Sequence, residues 1–185
     1  MLVKFHSHGT GRGSGPIDYL LGRNRDREDA RTLRGDPEQQ IEIIDSVPFT
    51  RRYTSGVLSF EEENIKEVDK DKIMDSAERA LLPGLSKDQY SITWVEHRDK
   101  DRLELNFVIA NVELQTGKRL QPYYHAVDMK RIDAWKNVTN FTYKLSDPND
   151  PLKQRDFRLT KVNTPQNAKA IHKQVTTHID RLVDQ

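Results

Sequence analysis

Residues 91–114 read SITWVEHRDKDRLELNFVIANVEL and contain the pattern that decides the fold. Residues 91–95 and 105–109 are rich in Ile, Val, Trp, Phe and Thr, which are enriched in β-strands. Residues 98–102 between them are charged and typical of a turn. The stretch therefore predicts a β-hairpin.

A turn centred on Lys100 and Asp101 places His97 opposite Glu104. Side chains alternate between the two faces of a strand, so Asn106 shares the face of Glu104. Directly opposed side chains have Cβ atoms about 4.5–5.5 Å apart, which is close enough to share a ligand. An imidazole, a carboxylate and an amide on one face are a candidate site for a divalent metal.

The other face of the hairpin is predicted to be apolar and to pack on a core, through Ile92, Trp94, Leu103, Leu105, Phe107 and Ile109. A register slip of one residue would separate the ligand candidates, so the apolar face fixes the polar one. Oxygen ligands favour Mg²⁺ or Mn²⁺, whereas an imidazole also suits Zn²⁺. The alternative to a metal site is a hairpin whose polar residues simply face water.

Composition indicates a polar globular protein. The chain of 185 residues is 35% hydrophobic and 32% charged, which fits one domain, or a core with an appended helix. No apolar run approaches the roughly 20 residues of a membrane-spanning helix, and the N-terminal apolar stretch is too short for a secretory signal. The absence of cysteine excludes a disulfide framework and is consistent with a cytoplasmic location.

A net charge of +1 argues against a non-specific nucleic-acid coat protein. Basic residues nevertheless cluster in the first third of the chain and recur as pairs further on. These clusters include Arg12 and the pair Lys118 and Arg119, which are candidates for contacting phosphates. The alternative is an ordinary surface of mixed charge.

Hydrophobic spacing and turn signals predict an α+β fold with a central, mostly antiparallel sheet flanked by helices. Residues 1–145 are expected to form the core, with helices covering one face of the sheet, and 146–185 a helical extension. Strands are expected at 2–8, 52–62 and 118–124 besides the hairpin, helices at 16–21, 37–47, 65–82, 128–144 and 165–183, and a loop at 24–35.

Tyr19 follows a loop with four glycines, on the short helix predicted at 16–21. A tyrosine hydroxyl can attack phosphorus and form a covalent intermediate. An ordinary tyrosine has a pKa of about 10, so this reaction needs a nearby metal or base at neutral pH. The alternative is that Tyr19 packs with the neighbouring apolar residues Ile17, Leu20 and Leu21.

Two motifs resemble those of plasmid mobilisation relaxases of the subgroup with a His-Glu-Asn metal motif. Residues 97–124, HRDKDRLELNFVIANVELQTGKRLQPYY, resemble its metal signature, and residues 4–22, KFHSHGTGRGSGPIDYLLG, resemble its tyrosine motif. The resemblance covers roughly residues 1 to 145. Most relaxases bind their metal with three histidines, and this chain departs from that larger pattern.

The resemblance implies a relaxase palm-like fold and a strand-transfer chemistry. Tyr19 would attack one phosphodiester at the nick site of a transfer origin, leaving a 5′-phosphotyrosine and a free 3′-hydroxyl. His97, Glu104 and Asn106 would hold the divalent metal. Apart from the resemblance, His6 lies on the first predicted strand and is a candidate base or supporting group for the site, and the alternative is a structural histidine.

The implied partner is single-stranded or supercoiled plasmid DNA at the transfer origin, together with accessory mobilisation proteins and a coupling protein. No membrane segment is expected in this chain. Two other functions fit the same residues. One is a metal-dependent nuclease that uses water, and the other is a non-catalytic module that binds single-stranded nucleic acid.

Overall fold

The computed structural model describes residues 1–7, 9–98 and 102–147. Met1–Pro148 form one compact unit. The expected turn at Lys100 and Asp101 and the expected helix at 165–183 lie outside the described residues. The elements, in chain order, are β1 (Leu2–Phe5), α1 (Ser14–Leu21), β2 (Ala30–Arg34), α2 (Pro37–Ser46), β3 (Tyr53–Ser59), α3 (Glu67–Leu81), β4 (Ile92–His97), β5 (Glu104–Ala110) and α4 (His125–Tyr143).

The five strands form one sheet in the order β1-β3-β5-β4-β2, and every neighbouring pair is antiparallel. The predicted α+β class is therefore confirmed. In the hairpin of β4 and β5, His97 pairs with Glu104 and Val95 pairs with Asn106, which confirms the predicted register. This register follows from the alternation of apolar and polar residues along both strands.

Helices flank the sheet as predicted, and they cover both of its faces rather than one. On one face, Trp94 and Phe107 are buried in a cluster with Ile73 of α3 and Ile132 of α4. The other face carries the polar residues of the hairpin together with small and branched apolar ones. These apolar residues, Val95, Val108 and Ala110, are buried beneath α1 and α2. Burial of apolar side chains is favourable, so the packing of the two helices over these residues stabilises the fold.

The expectation of a loop at 24–35 was also wrong, because Ala30–Arg34 forms the edge strand β2, paired with β4. Its charged residues are accommodated because an edge strand tolerates them. The Nη1 atom of Arg34 lies 2.7 Å from Oδ1 of Asp75 in α3. The Nη2 atom of Arg31 lies 3.0 Å from Oε2 of Glu67 at the start of the same helix. These tertiary contacts outweigh a local composition that is typical of a loop.

The strand expected at 118–124 does not form. Only an isolated bridge joins Val112 and Arg119 in that stretch. Helix α4 begins at His125, earlier than expected, and the carboxylate of Asp128 accepts a hydrogen bond of 2.7 Å from the backbone N–H of Tyr124. This contact satisfies a backbone donor at the start of the helix and fixes where it begins.

Gly56 lies in β3, close to the side chain of Phe107 in β5 and to the backbone of Lys4 in β1. A Cβ atom there would lie 2.5 Å from Cζ of Phe107 and 2.6 Å from the carbonyl oxygen of Lys4. We expect Gly56→Ala to lower the free energy of unfolding by about 1–3 kcal/mol, because one of the neighbours must move. Urea denaturation measures the change. Gly11→Ala is the control, since a Cβ atom added at Gly11 would meet no atom within 4 Å beyond its chain neighbours. Equal urea midpoints for the two variants would contradict the prediction.

Candidate functional site

A cavity of about 310 Å³ lies between α1 and the strands β3 and β5. Its lining includes Tyr19 from α1, His6 from the segment after β1, Ser55 from β3 and Asn106 from β5. Residues from four separate segments, three of which carry candidate functional groups, therefore converge on one opening. The cavity lies on the face of the sheet that also carries His97 and Glu104.

Tyr19 occupies an exposed position on α1. Its neighbours Ile17, Leu20 and Leu21 are buried against the sheet, whereas 72% of the Tyr19 side chain is exposed. The alternative in which Tyr19 packs with these residues is therefore wrong. The helix turns its apolar side towards the core and presents the phenol at the mouth of the cavity.

His97 is buried at the end of β4 and joins the hairpin to α1. Its Nε2 atom lies 2.8 Å from the carbonyl oxygen of Leu20, the residue that follows Tyr19. A carbonyl oxygen only accepts hydrogen bonds, so Nε2 carries the proton and the lone pair of a neutral ring is on Nδ1. A metal-binding histidine is usually held in this way, with its other nitrogen donating to a carbonyl or carboxylate.

Asn106 is 5% exposed, and its Nδ2 atom is buried without a hydrogen-bond partner among the residues that the structure describes. A buried polar atom left unpaired costs about 1–3 kcal/mol. Turning the amide by half a revolution would put its oxygen in this position, where a cation would satisfy it. The carboxylate of Glu104 is half-buried on the same face, opposite His97.

The hairpin thus brings together a nitrogen and two oxygen donors of the kinds that Mg²⁺, Mn²⁺ and other divalent ions accept. Within the described ranges, no group of three or more His, Cys, Asp or Glu side chains is arranged to hold a metal. The candidate set reaches three donors only when the amide of Asn106 is counted. His97, Glu104 and Asn106 therefore remain a predicted ligand set, and their donor atoms are of the kinds that a divalent metal accepts.

His6 is brought to the same cavity. Its backbone N–H donates to the carbonyl oxygen of Ser55 at 2.9 Å, which extends the pairing of β1 with β3 by one residue. The imidazole lines the opening together with Tyr19 and Asn106. The structure therefore brings His6 into the neighbourhood in which the sequence predicted a supporting role.

The three basic candidates do not line the cavity. Arg12 is exposed in the glycine-rich loop, where its carbonyl oxygen accepts from the N–H of Gly15 just inside α1. Lys118 and Arg119 lie near Val112, beyond the end of β5 that is remote from Glu104. At 3.4 Å per residue, that point is about 20 Å along the strand from Asn106. Any contact of Lys118 or Arg119 with DNA is therefore distant from Asn106.

The sequence reasoning missed an ion cluster behind the hairpin. Lys70 of α3 is fully buried and pairs with the buried carboxylate of Glu96, and its Nζ atom lies 2.6 Å from Glu67. Burial acts to raise the pKa of Glu96, but hydrogen bonds from Lys70 and Arg98 outweigh it and lower that pKa. One signal was present: Lys70 precedes Ile73 by three residues, so it falls on the apolar stripe of the helix.

Residues 27–140 match the family described as Relaxase: MobA/VirD2-like, nuclease domain. This chain belongs to that family, which confirms the resemblance seen in its motifs. The matched range covers both strands of the hairpin and begins after Tyr19.

Two relatives extend the similarity to nearly the whole chain. The DNA relaxase MbeA of Escherichia coli is 57% identical over 182 residues, which are 98% of this chain and 35% of the relative. The cryptic plasmid protein C of Neisseria gonorrhoeae is 53% identical over 182 residues, which are 98% of this chain and 88% of that protein. The chain thus spans about a third of the first relative and most of the second.

Among the helices that the structure describes, none has the length and apolar character needed to cross a membrane.

Proposed function

We propose that this chain carries the catalytic domain of a metal-dependent DNA relaxase. It cleaves one strand at the nick site of a plasmid transfer origin and so initiates mobilisation. Membership of the relaxase family supports the class of reaction. The observation that carries the proposal is the hydrogen bond between His97 and the carbonyl of Leu20, because it joins the candidate metal ligand to the helix that presents Tyr19.

Tyr19 is the proposed nucleophile. Its hydroxyl oxygen attacks phosphorus, and the bond between phosphorus and the 3′-oxygen breaks, so the DNA is left with a 5′-phosphotyrosine and a free 3′-hydroxyl. The proton of the phenol passes to a base, for which His6 is the candidate, and the departing 3′-oxygen takes up a proton. One phosphodiester replaces another, so the same site can rejoin the strand without ATP.

His97 through Nδ1, Glu104 through its carboxylate and Asn106 through its amide oxygen would hold the divalent metal, with Mg²⁺ or Mn²⁺ favoured by the two oxygen donors. Once bound, the metal supplies positive charge that stabilises the charge developing on the phosphate oxygens. The Nδ2 position of Asn106, which has no hydrogen-bond partner in the described part of the chain, supports this assignment, since a cation would satisfy the amide oxygen turned into that position.

DNA at the transfer origin is the proposed substrate, in single-stranded or supercoiled form. Arg12, Lys118 and Arg119 are proposed to contact its phosphates, which position DNA without reading its sequence. Accessory mobilisation proteins and a coupling protein are the proposed protein partners, and the cytoplasm is the proposed location. Residues 146–185 are proposed to extend the catalytic core of residues 1–145 as a helical segment.

The proposal is tested with a single-stranded oligonucleotide that spans a cognate transfer origin, incubated with the protein and Mg²⁺ or Mn²⁺. On a denaturing gel we expect the protein to be covalently joined to the 5′ end of the cleaved product, and EDTA to abolish the product. Cleavage without an adduct would instead identify a nuclease that uses water. Binding without cleavage on a panel of origin sequences would identify a module that only holds DNA.

Removal of one metal ligand should weaken the binding of the metal but not the binding of DNA. We expect Asn106→Ala to raise the Mn²⁺ concentration that gives half-maximal cleavage by at least about 10-fold, since even outer contacts of a metal site change its affinity by 10–100-fold. The cleavage rate is measured across a Mn²⁺ titration, and DNA affinity without metal should be unchanged. Ser55→Ala is the matched control from the same cavity. An unchanged titration for Asn106→Ala would remove Asn106 from the ligand set.

A further inference from the structure

The C-terminal end of α1 is closed by side chains and backbone from outside the helix. The last four carbonyl groups of an α-helix have no partner within it. Here the carbonyl of Asp18 accepts from the N–H of Gly22, and that of Leu20 accepts from His97. The two remaining carbonyls, those of Tyr19 and Leu21, both accept from Arg27.

Arg27 contacts the helix end in two ways. Its backbone N–H donates to the carbonyl of Leu21 at 3.0 Å, and its Nη1 donates to the carbonyl of Tyr19 at 2.8 Å. The chain can return over the helix because Gly22 has a φ of +80°, which a glycine adopts without strain. The segment after α1 is therefore folded back onto the turn that carries Tyr19.

The guanidinium of Arg27 also lies beside the phenol. Its Cζ atom is 6.0 Å from the centroid of the Tyr19 ring, within the range of a cation–π contact. The Tyr19 side chain is mostly exposed, so core packing does little to limit its rotation. Arg27 thus reaches the backbone and the ring of the same residue, and it places a positive charge at the negative end of the helix dipole.

We propose that Arg27 is a positioning residue for Tyr19, holding the last turn of α1 and the phenol ring in the orientation that attacks phosphorus. The inference rests on the proposed function, because it needs Tyr19 as the nucleophile. It assigns to the segment after α1 a part in the reaction that neither the tyrosine motif nor the metal motif contains. Small errors in the placement of a reacting group are costly, since a displacement of 1 Å can lower a rate by about 100-fold.

The experiment measures single-turnover cleavage of the origin oligonucleotide and, separately, its binding without metal, using the full chain. We expect Arg27→Ala to lower the cleavage rate by about 10–100-fold while the dissociation constant for DNA changes by less than about threefold. Arg27→Lys should recover part of the lost rate, because an ammonium group keeps the charge and can still donate to the carbonyl of Tyr19 but cannot stack on the ring as a guanidinium does. Arg23→Ala, which removes an exposed arginine from the same segment, should cleave like the wild type.

The variants of Arg27 and Tyr19 together distinguish failure of this inference from failure of the proposed function. An Arg27→Ala rate within twofold of the wild type, or an Arg27→Lys rate no better than that of Arg27→Ala, would overturn the inference while Tyr19→Phe still fails to form the adduct. An adduct formed by Tyr19→Phe would overturn the proposed function and this inference with it. If circular dichroism shows Arg27→Ala to be unfolded, Arg27→Met takes its place. It keeps most of the stem but has neither the charge nor a donor for the carbonyl of Tyr19, and a rate equal to that of the wild type would contradict the role.

Discussion

Tyr19→Phe is expected to abolish the covalent protein–DNA adduct and to lower strand cleavage by at least about 10⁴-fold, since removal of a nucleophile from a catalytic unit can cost about 10⁶-fold. The substitution deletes only the hydroxyl oxygen. Because 72% of the side chain is exposed, the free energy of unfolding should change by less than about 0.5 kcal/mol. Single-turnover reactions resolved on a denaturing gel measure both the adduct and the cleaved strand.

Tyr124→Phe is the matched control, because Tyr124 is also exposed but lies at the start of α4, outside the cavity lining. It should form the adduct at the rate of the wild type. DNA affinity measured without metal should be the same for both variants. Residual cleavage by Tyr19→Phe without an adduct would show that water replaces the phenol, and an intact adduct would assign the nucleophile to another residue.

Lys70→Met is expected to be the most destabilising single change behind the hairpin. Lys70 is fully buried and 3% of Glu96 is exposed, so the substitution leaves a carboxylate inside the protein without its closest cation. Loss of one partner of a buried ion pair typically costs about 3–5 kcal/mol. We expect about 3 kcal/mol, the lower end of that range, because Arg98 remains 3.0 Å from the carboxylate. Urea denaturation monitored by circular dichroism measures the loss.

The double variant Lys70→Met with Glu96→Leu separates the ion pair from packing. Replacing both members of a buried pair by apolar groups is often neutral or stabilising, so the second substitution should restore most of the lost stability. A double variant as unstable as Lys70→Met alone would show that the lost stability does not come from an uncompensated carboxylate, and would contradict the role assigned to the ion pair.

The hairpin could be predicted because its signal is local. Alternating apolar residues on both sides of a charged segment fix the strand type and the register together, and the pairing of His97 with Glu104 follows from that register. Edge strand β2 could not be predicted in this way. Two of its five residues are arginines, and Arg34 is stabilised by partners such as Asp75, 41 positions away in the chain.

The residues of the candidate site also differ in whether a local sequence pattern predicts their position. His97, Glu104 and Asn106 are neighbours in one hairpin, so counting alone places them on one face. The convergence of His6, Tyr19 and Asn106 on one cavity depends on how α1 packs, which no short pattern encodes. The contacts of Arg27 with the end of α1 depend on the path of a loop, and the pairing of Lys70 with Glu96 depends on how α3 crosses the sheet.

The hydrogen bond between His97 and Leu20 has a consequence for how the two halves of the site influence each other. Under the proposed function, a strand attached to Tyr19 would restrict α1 and a bound metal would orient His97, so both would favour the same arrangement of this one bond. Thermodynamic linkage is reciprocal, so a factor by which the metal tightens DNA binding must equal the factor by which DNA tightens metal binding. The change in DNA affinity caused by the metal and the change in metal affinity caused by DNA are then two measurements of a single coupling free energy.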